Sequence, residues 1–137
     1  MDLRAVARRT AIVAAVVTVL VLAAPYAIVS GSGYADQLAA YYVSGTVGGA
    51  GVVLFALTSA IVVGSVERGN LDPGTLAGVG VVLGVATTAS AALWTLAIEP
   101  SPMFRDNLWL VWHARAVVAV SVPVPVAAAV YAREVLT

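Results

Sequence analysis

One histidine occurs in the chain, in the run Trp109-Leu110-Val111-Trp112-His113-Ala114-Arg115, inside an otherwise apolar stretch. Ionisable groups in such a stretch are costly to bury and are functional candidates by default. An imidazole there offers haem or metal ligation, proton relay, or a hydrogen bond to a quinone. Arg115 lies two residues on, about 200° around an ideal helix, so the two side chains point to nearly opposite faces and do not share a pocket. Two readings of Arg115 stand side by side. Its long stem snorkels toward the headgroups with Trp112 stacked on the guanidinium, or it forms a salt bridge inside the bundle with Glu99 or Asp36.

Most other chemistry is missing its parts. There is no cysteine, which removes disulfides, thiolate metal sites and thiol redox reactions. A bis-histidine haem needs a second imidazole, which only another subunit would bring. No His-x-x-x-His or Glu-x-x-His spacing occurs, no paired carboxylates fall within an apolar stretch, and no nucleophile is flanked by a base. Gly78-Val79-Gly80 followed by Gly84 superficially resembles a nucleotide-binding loop, but it lacks a preceding strand and a lysine and sits among apolar residues. The expectation is therefore a non-enzymatic protein with no catalytic residue, no metal and no cofactor, His113 being the single cofactor-binding candidate. A lone histidine among tryptophans near an interface reads first as an anchor.

The elements that position these residues follow from composition. Hydrophobic residues make up 61% of the 137 and charged residues 10%, against about 25% charged in soluble domains. A helix needs roughly 20 apolar residues to cross about 30 Å of hydrocarbon. Four stretches qualify, over about 10–30, 44–66, 75–98 and 108–132, and they predict an all-α integral membrane four-helix bundle forming a single membrane domain. A formal net charge of zero gives no basic surface for nucleic acid.

Arginine sets the orientation, because Lys and Arg near span ends are retained in the cytoplasm. Arg4, Arg8 and Arg9 precede the first span, Arg68 separates the second and third, and Arg133 follows the fourth, whereas the opposite side holds only Arg105. Both termini are thereby placed on the cytoplasmic side of a multi-pass cytoplasmic-membrane protein. A competing reading takes Arg8-Arg9 and the apolar run after it as a cleavable signal sequence, with Ala23, Ala24 and Ala27 as small residues near the cut. Punctuation fits the four-span layout: Ser30-Gly31-Ser32-Gly33 closes the first span, the polar run from Glu67 to Gly74 makes a turn, and Glu99-Pro100-Ser101-Pro102 stops the third.

Lipid is as apolar as leucine, so membrane helices associate where small residues let backbones approach. Gly45 and Gly49 on the second span, and Gly80, Gly84, Thr88 and Ala92 on the third, repeat every four residues and read as packing faces within the bundle or as a homo-oligomer contact. Pro123 and Pro125 each remove a backbone hydrogen bond from the fourth span and predict a kink or local unwinding. Tyr26, Tyr34, Tyr41, Tyr42, Trp94, Phe104, Trp109 and Trp112 gather on the outer side and read as an aromatic belt or an outward partner surface.

The charged amino-terminal tail, Ala24-Pro25-Tyr26, Tyr41-Tyr42-Val43-Ser44-Gly45 and Trp109-Leu110-Val111-Trp112-His113 together make the chain resemble small four-span membrane proteins of haloarchaea. That resemblance implies architecture and source and carries over no site residue. The expected role is an accessory or scaffold subunit whose partners are the lipid bilayer and another membrane protein or a second copy. Two alternatives stand beside it: a small oligomeric channel or transporter with glycine-lined spans and a double proline, and a haem- or quinone-linked anchor using His113.

Overall fold

In the computed structural model the described residues are 2–29, 34–69, 71–100 and 102–137. They form seven α-helices and no strand: α1 (Leu3–Ile28), α2 (Ala35–Tyr42), α3 (Gly48–Ser65), α4 (Pro73–Ala97), α5 (Met103–Asp106), α6 (Leu110–Ser121) and α7 (Pro123–Leu136), with a 3-10 turn over Val66–Arg68. Four segments are long and apolar enough to cross a membrane: Leu3–Ile28, Gly48–Arg68, Pro73–Ala97 and Leu110–Leu136. Each packs on its neighbours in sequence, and the fourth returns to the first, so the spans form a closed square. Segment 30–33, expected to close the first span, and Asn70 and Ser101 lie outside the described residues.

The first span starts at Leu3, seven residues before the expected Thr10, because Asp2 caps it: its carboxylate accepts the Arg4 N–H at 3.0 Å. Arg4, Arg8 and Arg9 are thus helical. Arginine is a good helix former and its stem covers apolar surface while the head reaches out. α1 is one wall of the bundle, burying Ala7, Ala11, Ala15, Thr18 and Leu22, a role that the signal-sequence reading does not foresee.

At the opposite end the first and second spans are joined through a further helix. α2 forms there and buries Leu38, Tyr41 and Tyr42, an i, i+3, i+4 apolar stripe on a two-turn helix. Gly45 (φ 77°) and Gly48 (φ 68°) then reverse the chain, so α3 begins at Gly48 and not at Ser44. Gly45 and Gly49 therefore do not form a helix face. Gly45 sits in the turn, where a Cβ would lie 2.8 Å from that of Ala97, and a Cβ on Gly49 would lie 2.9 Å from the Tyr42 ring.

α4 opens on Asp72 as cap with Pro73 in its first turn, where a missing N–H costs nothing. Its glycines are spent inside the bundle: a Cβ on Gly80 would meet Val63 of α3 at 2.8 Å, and one on Gly84 would meet the Pro125 Cα at 2.9 Å. The prolines do not unwind the fourth span. Val122 between α6 and α7 keeps helical torsions (φ −56°, ψ −42°). Pro125 withdraws the donor that Ser121 C=O would otherwise meet, and the Thr88 hydroxyl donates to that carbonyl at 3.1 Å.

Candidate functional site

His113 projects inward from the first turn of α6 and is 5% exposed. Its Nε2 lies 2.6 Å from Val21 C=O of α1, and its Nδ1 lies 2.6 Å from the Tyr41 hydroxyl of α2. A carbonyl only accepts, so Nε2 carries the proton; in the neutral ring Nδ1 is then the acceptor and Tyr41 donates. Tyr41 is well suited to that part, because burial pushes its hydroxyl far above the ordinary range and keeps it protonated.

Val21 C=O is available for a reason written in the chain. The helical partner of that carbonyl is the N–H of residue 25, and Pro25 has none. In lipid an unmatched carbonyl costs several kcal/mol, so the imidazole repairs the gap that proline opens. His113 thereby ties α1, α2 and α6 into one unit.

An aromatic cluster encloses the ring. Trp94 of α4 and Trp109 both present edges to it, with centroids 6.3 and 5.7 Å away and planes at 86° and 84°. Trp94 is fully buried, and its indole N–H donates at 2.9 Å to Tyr41 C=O, one of the orphan carbonyls at the end of α2. Tyr42 stacks on Trp94 and on Tyr26, and its hydroxyl donates to Leu22 C=O. The aromatic belt is corrected accordingly: Tyr26 and Trp112 face outward at 65% and 64% exposure, but Tyr41, Tyr42 and Trp94 are core. A belt reading counts tips near the headgroups; those of Tyr42 and Trp94 instead donate to the backbone carbonyls of Leu22 and Tyr41, and that of Tyr41 donates to His113 Nδ1.

α2 and α5 lie over this cluster. The Met103 N–H donates to Gln37 Oε1 at 2.7 Å, and the Tyr34 hydroxyl donates to Asp106. Between them a cavity of about 440 Å³ is lined by Asp36, Gln37, Tyr41, Ser44, Glu99 and Phe104.

Arg115 points away from His113, as the two-residue offset requires. It is exposed, with its guanidinium carbon 5.0 Å from the centre of the Trp112 ring. The salt bridge to Glu99 or Asp36 is absent; among the described residues the ion pair is Arg4–Glu67 at 2.7 Å. Hydroxyl groups that could have lined a wet path are turned to backbone instead: Thr18 to Ala14 C=O, Thr95 to the carbonyls of Ala91 and Ala114, Ser59 to Gly80 C=O. No group of three or more His, Asp or Glu side chains able to hold a metal occurs among the described residues.

What this arrangement does chemically is hold helices together. Both nitrogens of His113 are engaged by the protein, so ligation of iron or donation to a quinone would first break one of its two bonds. Sequence reasoning singled out His113 and missed its partners Tyr41 and Val21. The i, i+3, i+4 stripe of α2 and the four-residue offset from Pro25 were the signals that would have found them.

Residues 1–136 match a family described as a family of unknown function, DUF7548. The chain belongs to DUF7548. No curated protein and no solved structure matches it. The DUF7548 match spans all four segments long and apolar enough to cross a membrane and the short helices α2 and α5, so the histidine cluster lies wholly within the family region.

Proposed function

We propose that the protein is a non-enzymatic, multi-pass subunit of the cytoplasmic membrane that docks another membrane protein or a second copy of itself. The observation that carries this reading is the engagement of His113. The one buried side chain of the His, Asp, Glu or Arg type among the described residues has both ring nitrogens taken up by the protein and no free atom for ligation. The same satisfaction works against a haem or quinone anchor, and the hydroxyl-to-backbone bonds work against a channel within one chain.

Gly80 and Gly84 are occupied inside the bundle, so an interaction surface has to lie elsewhere. The outer face built by α2, α5 and the neighbouring span ends carries the exposed apolar residues Tyr26, Val43, Leu108 and Trp112, and aromatic side chains of this kind supply large contact area at low entropy cost. Both termini belong to the cytoplasmic side, supported by Arg4, Arg8, Arg9, Arg68 and Arg133 at one end of the bundle. The haloarchaeal source rests on the sequence resemblance alone.

Native mass spectrometry of protein released gently from its own membranes tests the role. A defined complex with other membrane subunits, or a defined homo-oligomer, is the expected result. A clean monomer without partner overturns it, and a haem or quinone mass would transfer the role to His113. Because the chain has no cysteine, single cysteines at Thr137 and Asp36 test orientation: the first should be shielded from an impermeant thiol reagent in intact cells and the second labelled.

A further inference from the structure

The adjacent arginines Arg8 and Arg9 divide between two environments. Arg8 turns into the bundle and donates to Gly64 C=O of α3 at 2.8 Å. Arg9 is exposed and has no carboxylate partner among the described residues. It stands at the mouth of an apolar groove of about 450 Å³ between α1 and the fourth span, lined beyond it by Val13, Ala14, Val17, Val120 and Pro123.

The groove has a definite origin. Val13 and Val17 continue the Arg9 stripe at four-residue spacing, so its wall runs about 12 Å along α1. Ala14 at the seam is small, and the fourth span offers a proline ring rather than a long side chain opposite it. An unneutralised cation inside a span, beside a dry slot parallel to the helix axis, matches one bilayer component: an anionic lipid with its phosphate at the arginine and a hydrocarbon chain in the slot. The Thr10 hydroxyl, which also lines the mouth, adds a neutral donor for a phosphate oxygen.

Two other grooves sharpen the choice. The one between α1, α2 and α3, lined by Leu22, Ala23, Tyr26, Tyr42 and Val53, has no cation. The one between α4 and α6 has Arg115 at its rim, but that guanidinium is held on Trp112. Only at Arg9 does an apolar groove meet a cation that no carboxylate or aromatic ring of the described residues engages. We propose that this groove is a binding site for one anionic phospholipid in the leaflet at the termini end, with the phosphate on Arg9 and one acyl chain along Val13, Val17 and Pro123.

The test is native mass spectrometry of the full chain ejected from nanodiscs of equal phosphatidylglycerol and phosphatidylcholine, counting retained lipids. Wild type should retain one phosphatidylglycerol above the bulk ratio. Arg9→Gln should lower that retention about fivefold, the scale of one surface arginine on anionic lipid. Arg133→Gln removes an exposed cation from the same end without touching the groove and should change little. Ala14→Leu fills the groove with Arg9 intact and should also lose the lipid, near-ultraviolet circular dichroism confirming that the bundle is folded. Equal losses in Arg9→Gln and Arg133→Gln would mean diffuse attraction to a basic collar and overturn the site, as would full retention in folded Ala14→Leu. None of these outcomes depends on whether the protein docks a partner.

Discussion

The two ends of the bundle are held together by different physics. Toward α2 and α5 the core consists of Tyr41, Tyr42, Trp94, Met103 and Leu110, threaded by hydrogen bonds from side chains to backbone carbonyls. Toward the termini the core consists of Ala7, Ala11, Ala77, Ala127, Ala128 and Ala132 around Val63, Val66 and Tyr131, small side chains in close approach, with the Arg8 guanidinium on Gly64 C=O and the Arg4–Glu67 pair beside them. Lipid gives no hydrophobic gain for bringing two helices together, so each end needs another source of cohesion. The end at α2 and α5 uses large side chains to repair backbone defects at Pro25 and at the end of α2. The termini end uses small ones to bring helix backbones into van der Waals contact. One end therefore depends on donors and acceptors, and the other on volume.

The contrast is broken most severely at His113. His113→Leu keeps the bulk but strands Val21 C=O, which Pro25 already deprives of its helical donor, and removes the acceptor of the Tyr41 hydroxyl. Two buried polar groups left unmatched should cost about 3 kcal/mol. Denaturation in mixed micelles measures it. Pairing His113→Leu with Pro25→Ala, which restores an N–H to Val21, should recover part of the loss; if the double variant is no more stable than the single one, the repair account fails.

Where the bundle depends on volume, Gly84→Ala and Gly80→Ala should diverge although both add one methyl. The new methyl at Gly84 meets backbone atoms of Pro125, at 2.9 Å from Cα and 3.1 Å from N, so α4 and α7 have to separate, at about 2 kcal/mol. At Gly80 it meets the γ2 methyl of Val63 at 2.8 Å, a side-chain atom and not backbone, and the gain of about 1 kcal/mol in helix propensity offsets part of the cost. Equal costs at the two sites would show that the fourth span gives way freely at its prolines.

How much of this was legible in the sequence differs between the two ends. The four spans were readable because about 20 apolar residues in a row admit few other interpretations. Gly80 and Gly84 were readable as a packing face because α4 runs unbroken through both. Gly45 and Gly49 have the same spacing and no such helix beneath them: periodicity does not register that Gly45 and Gly48 take positive φ. Tyr41, Tyr42 and Trp94 looked like interface anchors because sequence position gives depth along the membrane normal and says nothing of whether a ring faces lipid or the bundle axis. His113 was conspicuous by its type, whereas its role depends on a carbonyl 92 residues away that a proline has freed.

A milder probe of the α2 and α5 end is Trp94→Phe. The ring that stacks with Tyr42 is kept, but the indole N–H to Tyr41 C=O is lost. The expected cost is about 1 kcal/mol, a single hydrogen bond whose carbonyl lies near the interface. The Trp94 emission vanishes with it, so stability is best followed by circular dichroism. A cost equal to that of His113→Leu would mean that the cluster acts as one cooperative unit and not as separable repairs.

The smallest effect concerns the termini end and is read through pH. Asp72 caps α4 by accepting the Thr75 N–H and the Thr75 hydroxyl, each at 2.8 Å, and these bonds hold its carboxyl below the ordinary range. The helix N-terminus favours the same charge. A carboxyl lowered on folding contributes stability that is present above its unfolded value of about 3.9 and is lost as pH falls through the lower folded value. Asp72→Asn keeps a capping oxygen without the titration. Between pH 7 and 5 the wild-type unfolding midpoint should exceed that of the variant by a constant small margin, and below about pH 4 the margin should close. Margins that stay parallel down to pH 3 would show that the charge at Asp72 contributes nothing to stability.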